Sequence, residues 1–157
     1  MYRIFIVEDD ETIAYSIAER LTSWGFEAKV CTDFRDVLSQ TIALDPHLVL
    51  MDISLPFFNG YHWCREIRRI SEVPVMFISS AGDNMNIVMA INMGADDFVA
   101  KPFDMDMLLA KIQALLRRTY DFTASRPAVL QHNGVILNSS ACSVSFEDRK
   151  LELSKNE

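Results

Sequence analysis

Apolar and polar positions along this chain alternate between two periods. Ile4–Val7, Leu48–Met51 and Val75–Ile78 are unbroken apolar runs, the pattern of strands buried on both faces. Between the runs, apolar residues recur at helical spacing. Ile13, Ile17 and Leu21 stand at i, i+4 and i+8; Leu108, Ile112 and Leu115 stand at i, i+4 and i+7. The pattern predicts strands over 2–7, 26–31, 48–52, 75–79 and 96–100. It predicts helices over 11–24, 34–44, 60–70, 84–93 and 105–118. Gly25 and Gly94 suit helix C-termini, and Asp33, Asn59, Asp83 and Asp104 suit N-caps. Regular strand–helix alternation implies an α/β fold, a five-stranded parallel sheet with helices on both faces. The flavodoxin-like strand order 2-1-3-4-5 is the expectation.

The pattern changes after Arg117-Arg118. Residues 1–119 form the α/β unit, and 120–127 is a polar stretch that reads as a linker. Beyond it, short β-like runs at Val129–Gln131, Val135–Leu137, Cys142–Phe146 and Leu151–Leu153 predict a small antiparallel sheet within 128–157. Asn133-Gly134 and Glu147–Lys150 read as its turns. Ser154–Glu157 looks like a helix start.

The chemistry lies where the strands end. The first run ends in Glu8-Asp9-Asp10, the third strand in Asp52, the fourth in Ser79, and the fifth in Lys101-Pro102. In an open parallel sheet that edge is where ligands bind. Hard cations such as Mg²⁺ take oxygen ligands, one or two carboxylates plus water. Asp9 and Asp52 are the direct-ligand candidates, with Glu8 acting directly or through water. An exposed carboxylate at a strand end can also attack phosphorus. Lys101 and the Ser79 hydroxyl would then face the phosphoryl oxygens. An acidic loop alone is as readily a solvated turn with helix caps, and Asp10 fits a cap best. The joint placement at one edge favours the site.

Composition narrows the classes. Half the residues are apolar and 24% charged, a globular balance. No apolar run approaches the ~20 residues of a membrane helix. The three cysteines, Cys31, Cys64 and Cys142, match no zinc spacing and suit a reducing cytoplasm. The net charge of −7 argues against nucleic-acid binding by the chain as given.

Three stretches carry a family resemblance: Ile6–Asp10, Val49–Pro56 and Gly94–Phe103. They resemble the receiver domains of two-component response regulators, over residues 1–119. The resemblance implies that Asp52 is the phosphoacceptor of a sensor histidine kinase. It implies Mg²⁺ held by Glu8, Asp9, Asp52 and the Ser54 carbonyl. Ser79 would be the switch hydroxyl and Lys101 the phosphate-binding lysine, followed by a cis bond to Pro102. Two positions depart from the family pattern: the switch aromatic, often tyrosine, is Phe98, and the usual Thr-Ala is Ser79-Ser80. Residues 128–157 resemble the sheet that opens the winged-helix effector of the OmpR/PhoB class. This implies a truncated transcription factor that contacts DNA only as its full-length parent. Gly60–Arg68 resembles regulators that answer cell-envelope antibiotics.

In that class, active receivers form homodimers through the fourth helix, fifth strand and fifth helix. Here Asp96 would meet Arg118 of the partner and Asp97 would meet Lys111. A third pair falls on apolar Ile87 and Met107, and these with Val88, Ile91 and Ala110 would form the apolar centre of the interface. Met85, Met89 and Met93 form a stripe on the fourth helix, beside a core-like pair, Val88 and Ile91. Three other functions fit the residues less well. A haloacid-dehalogenase-type phosphatase needs a second Asp where Ser54 stands. A flavodoxin-like FMN module needs a Ser/Thr/Gly-rich loop where the acids stand. A phosphorylation-independent dimerisation receiver has no need of the complete acid set.

Overall fold

Five parallel strands form the centre of the first unit. In this computed structural model the described backbone covers residues 1–80, 84–121, 129–132, 135–138, 143–146 and 149–152; side chains are described for 1–80 and 87–121. The strands are β1 (Arg3–Val7), β2 (Glu27–Val30), β3 (Leu48–Asp52), β4 (Val75–Ser79) and β5 (Asp97–Ala100), in the order β2-β1-β3-β4-β5. The helices are α1 (Glu11–Ser23), α2 (Val37–Leu44), α3 (Gly60–Arg68), α4 (Asn84–Asn92) and α5 (Met105–Leu116), followed by a π-helical turn at Arg117–Asp121. This is the flavodoxin-like fold expected from the pattern.

Strands β1, β3 and β4 are hydrophobic on both faces because helices cover both. Phe5, Val7, Val49, Met51, Val75 and Phe77 pack with Val37 of α2, Trp63 and Ile67 of α3, and Ala90 of α4. The alternate positions Ile4, Ile6, Leu48, Leu50, Met76 and Ile78 are also buried. They belong to the opposite face by the period-2 alternation of strands. Each fully buried aliphatic side chain contributes about 1.5–3 kcal/mol.

Helix boundaries follow local hydrogen bonding. Asp10, Asn59 and Asp104 cap α1, α3 and α5, each accepting from a backbone N–H of the first turn. The second helix starts at Val37, later than the expected 34, and its cap is Asp36 rather than Asp33. Asp33 instead accepts from the backbone N–H of Arg35, a local turn that competes with helix initiation. Gly25 and Gly94 take the left-handed conformation after α1 and α4, at φ 88° and 90°. The Lys101–Pro102 bond is cis. The Asp83 cap, the turn at Asn133-Gly134, the Glu147-Asp148 half of the Glu147–Lys150 turn, Cys142 and the Ser154–Glu157 helix start lie outside the described residues; Arg149 and Lys150, expected in that turn, open a strand instead. Cys31 and Cys64 are buried thiols, and burial pushes Cys31 up to about 11. No described helix is long and apolar enough to cross a membrane.

The chain divides into compact units at Met1–Thr119 and Tyr120–Glu157. In the second, β6 (Val129–His132), β7 (Val135–Asn138), β8 (Ser143–Phe146) and β9 (Arg149–Glu152) form an antiparallel sheet in sequence order.

A histidine ties the far edge of the sheet together. The Arg3 backbone N–H donates to His47 Nδ1 at 2.9 Å, while the His47 N–H donates to the Arg3 carbonyl at 2.8 Å. The first bond needs a neutral imidazole. Burial, then the Arg3 charge, lowers the His47 pKa below the ordinary 6.5. Stability from this group is therefore complete above pH 6.5 and is lost as pH falls through the folded-state value. We expect His47→Gln to flatten the fall in urea midpoint between pH 7.5 and 5.5. An unchanged slope would remove His47 from the account.

Candidate functional site

The four strand ends converge as the register requires. Val7 pairs with Met51, so Glu8 comes alongside Asp52. Asp52 pairs with Ile78, one residue before Ser79, and Ser79 pairs with Ala100, one residue before Lys101. One carboxylate oxygen from each of Glu8, Asp9 and Asp52 lies within 4.8 Å of the others. Asp9 is exposed, whereas Glu8 and Asp52 are buried, so Asp52 is not the exposed carboxylate that its strand-end position predicts. Lys101 Nζ closes the cluster, 2.6 Å from Glu8 Oε2 and 3.3 Å from Asp52 Oδ2.

Each group is held by its own loop. The Asp10 N–H donates to Glu8 Oε1 at 3.0 Å, and the Ser54 N–H donates to Asp52 Oδ1 at 3.3 Å. The second bond places the Ser54 backbone beside the carboxylate. Ser79 is fully buried, and its carbonyl accepts from the Lys101 N–H at 2.8 Å. Burial raises the Glu8 pKa, and the nearby Asp52 charge adds to this against the lowering effect of Lys101. Burial alone would lower Lys101, but its Glu8 hydrogen bond and the two carboxylate charges leave it raised. Three oxygen donors around one point, one of them open to solvent, fit a hard divalent cation that keeps several waters.

Two features of the β3–α3 loop were not read from the sequence. The Gly60 N–H donates to the Ile53 carbonyl at 2.9 Å, and a Cβ on Gly60 would collide with the Asp52 carbonyl oxygen. The helical pattern places Gly60 at a helix start, and a glycine there is also a signal for close backbone approach. Phe57 holds the left-handed conformation, φ 67°, with the Arg35 guanidinium 5.5 Å from its ring centroid.

The face of α4, β5 and α5 departs from one expectation. Val88 and Ile91 are not a core pair: they are 52% and 64% exposed. The helix turns Ala90 inward instead, because only one narrow stripe meets β5 and the sheet. Met89 is exposed and Met93 half-buried; the Met85 side chain lies outside the described residues. Ile87, Ala90, Ile91, Ala95 and Phe98 line a cavity of about 230 Å³. Met107, Ala110 and Arg118 are exposed, and Phe98 is half-buried. Within the single chain, Lys111 Nζ pairs with Asp97 at 3.2 Å and Asp96 pairs with Arg68 at 2.7 Å.

Fold and site together define a sheet-edge acid cluster closed by a lysine, and the sequence carries the matching signature. Residues 4–113 match the response regulator receiver domain, and the chain belongs to that family. It is 41% identical to the sensory transduction protein BceR of Halalkalibacterium halodurans over 157 residues, all of this chain and 68% of that protein. Among solved structures it is similar to the N-terminal domain of the nisin resistance regulator NsrR, a lantibiotic response regulator. That likeness has 46% identity and a TM-score of 0.69, covering 74% of this chain and 99% of the other. The BeF3-activated receiver domain of Klebsiella pneumoniae RstA is 30% identical, with a TM-score of 0.70 over 73% of this chain and 98% of its own.

Proposed function

We propose that this chain is a cytoplasmic, phosphorylation-controlled switch in which Asp52 accepts a phosphoryl group from a sensor histidine kinase. The observation that carries the reading is the Lys101 ammonium seated between Glu8 and Asp52. An Asp52 carboxylate oxygen attacks phosphorus. The phosphorus–nitrogen bond to the donor imidazole breaks, its electron pair returns to the ring nitrogen, and an acyl phosphate forms on Asp52. Lys101 Nζ, already 3.3 Å from Asp52 Oδ2, then faces a phosphoryl oxygen and neutralises its charge. Glu8, Asp9, Asp52 and the Ser54 carbonyl would hold Mg²⁺, which supplies further neutralisation of the phosphoryl oxygens when bound. Ser79 and Phe98 relay the change to the face of α4, β5 and α5, where two copies pair about a two-fold axis. In a full-length parent, that pairing controls transcription through an effector that the sheet of β6 to β9 begins. The likeness to a lantibiotic response regulator supports a cell-envelope antibiotic as the upstream signal.

Ser54 stands where an aspartyl phosphatase would place its general acid, and the complete acid set exceeds what a pure dimerisation module needs. The test is intact mass after acetyl phosphate and Mg²⁺. Wild type should gain one phosphoryl group and Asp52→Asn none. Uptake by Asp52→Asn at the wild-type rate would move the acceptor elsewhere.

A further inference from the structure

Arg68 ends α3 with its guanidinium fully engaged. Its Nε and Nη2 donate to the Gly94 carbonyl at 3.1 and 2.9 Å, and its Nη1 donates to the Val73 carbonyl. Nη2 also donates to Asp96 Oδ2 at 2.7 Å. The same Asp96 oxygen accepts from the Val75 N–H at 2.9 Å. Asp96, just before β5 begins, is thus joined at once to the start of β4 and to the last turn of α3. Its side chain is 39% exposed and that of Arg68 is 23% exposed, so water and a partner reach the pair.

We propose that Arg68 is an internal competitor for the interface carboxylate Asp96, held in the single chain and exchanged for Arg118 of a second copy on self-association. The inference rests on the two-fold pairing proposed above. Three points make this exchange possible without stranding a charge. First, Arg68 keeps two carbonyl partners when it releases Asp96, and Asp96 keeps the Val75 N–H, so neither group is stranded. Second, a guanidinium is the one cation whose planar fork suits a carboxylate already using one oxygen, and both Arg68 and Arg118 carry it. Third, the neighbouring rim carboxylate is in the same situation, since Asp97 is paired with Lys111 of its own chain.

The rim charges are therefore satisfied before a partner arrives. A cross-chain ion pair replaces an internal one and adds little net energy. The driving force must come from the exposed apolar strip of Val88, Ile91 and Met107. Removing the internal competitor should then tighten the dimer. An accessible ion pair is worth about 0.2–1 kcal/mol, or roughly 1.4- to 5-fold. A two-fold dimer holds two such pairs, so the expected tightening is about 2- to 25-fold.

The experiment is sedimentation of the beryllofluoride- and Mg²⁺-loaded full chain. Arg68→Gln should dimerise at lower concentration than wild type, and the gain should vanish in Arg68→Gln/Arg118→Ala. An unchanged or weaker dimer overturns the inference, and so does a gain that survives Arg118→Ala. If Arg68→Gln fails to fold, Arg68→Lys decides. Its single donor group should give a smaller tightening with the same dependence on Arg118, and no tightening refutes competition. Ile87→Asp separates the two levels of argument. If it dimerises like wild type, the face itself is wrong. If it is monomeric while Arg68→Gln gains nothing, only the competition fails.

Discussion

Lys101→Ala should lower the unfolding free energy of the Mg²⁺-free protein by about 3–5 kcal/mol, the cost of removing one partner from a buried ion cluster. The side chains concerned are nearly closed to solvent: Glu8 is 2% exposed, Asp52 6% and Lys101 16%. Without the ammonium, two carboxylates face each other in a site with little water. One response is protonation. Burial and the Asp52 charge already hold Glu8 above its ordinary 4.5, and loss of Lys101 removes two effects that oppose them. A carboxyl with a raised folded-state pKa contributes stability that is complete below 4.5 and lost as pH rises through the folded value. The deficit of Lys101→Ala should therefore shrink as pH falls toward 4.5 and be largest near neutrality. Urea denaturation of wild type and variant at several pH values reads both effects. A Lys101→Ala protein within ~0.5 kcal/mol of wild type at pH 7 would show that the cluster is solvated and that the lysine is not its counter-ion.

Mg²⁺ at a hundred times its Kd should add about 2.7 kcal/mol to wild-type stability through binding to the folded state alone. For a unit of this size that is a rise in Tm of roughly 10 °C. Asp9→Ala should abolish most of it. This residue isolates cation binding from folding because it is the exposed member of the three acids. The same cation should restore part of the stability lost in Lys101→Ala, since either positive charge relieves Glu8 and Asp52. Thermal denaturation with and without millimolar Mg²⁺ is the measurement. A Tm that ignores Mg²⁺ in wild type, or that rises equally in Asp9→Ala, would exclude these carboxylates as the binding site.

The structure also changes what a substitution at Asp96 means. As a rim residue it would affect pairing alone. Because its carboxylate accepts from Arg68 and from the Val75 N–H, Asp96→Ala also removes two bonds within the chain. Its effect on self-association is readable only beside its own melting curve. Ile87→Asp is the cleaner probe, since Ile87 lines the cavity on the α4–β5 face and places a charge there without breaking an ion pair.

The sequence by itself determined the strands and the residues that end them at the carboxyl edge. Those features are local: an unbroken apolar run such as Val75–Ile78 needs cover on both faces whatever surrounds it, and chemistry at the ends of parallel strands is carried to one edge by the register. The helix caps at Asn59 and Asp104 were legible for the same reason, as short-range hydrogen bonding. Asp33 against Asp36 was not, because two acids three residues apart both suit a cap and the turn at Arg35 chose between them. What only the tertiary structure decided were contacts across long separations. Lys101 binds Glu8 as well as Asp52, Arg68 takes Asp96, and α4 turns Ala90 rather than Val88 and Ile91 to the core. Helical periodicity limits which residues share a stripe, but the rotation of a helix about its axis is set by the surface it packs on. An ion pair forms with whichever opposite charge that packing brings within about 4 Å.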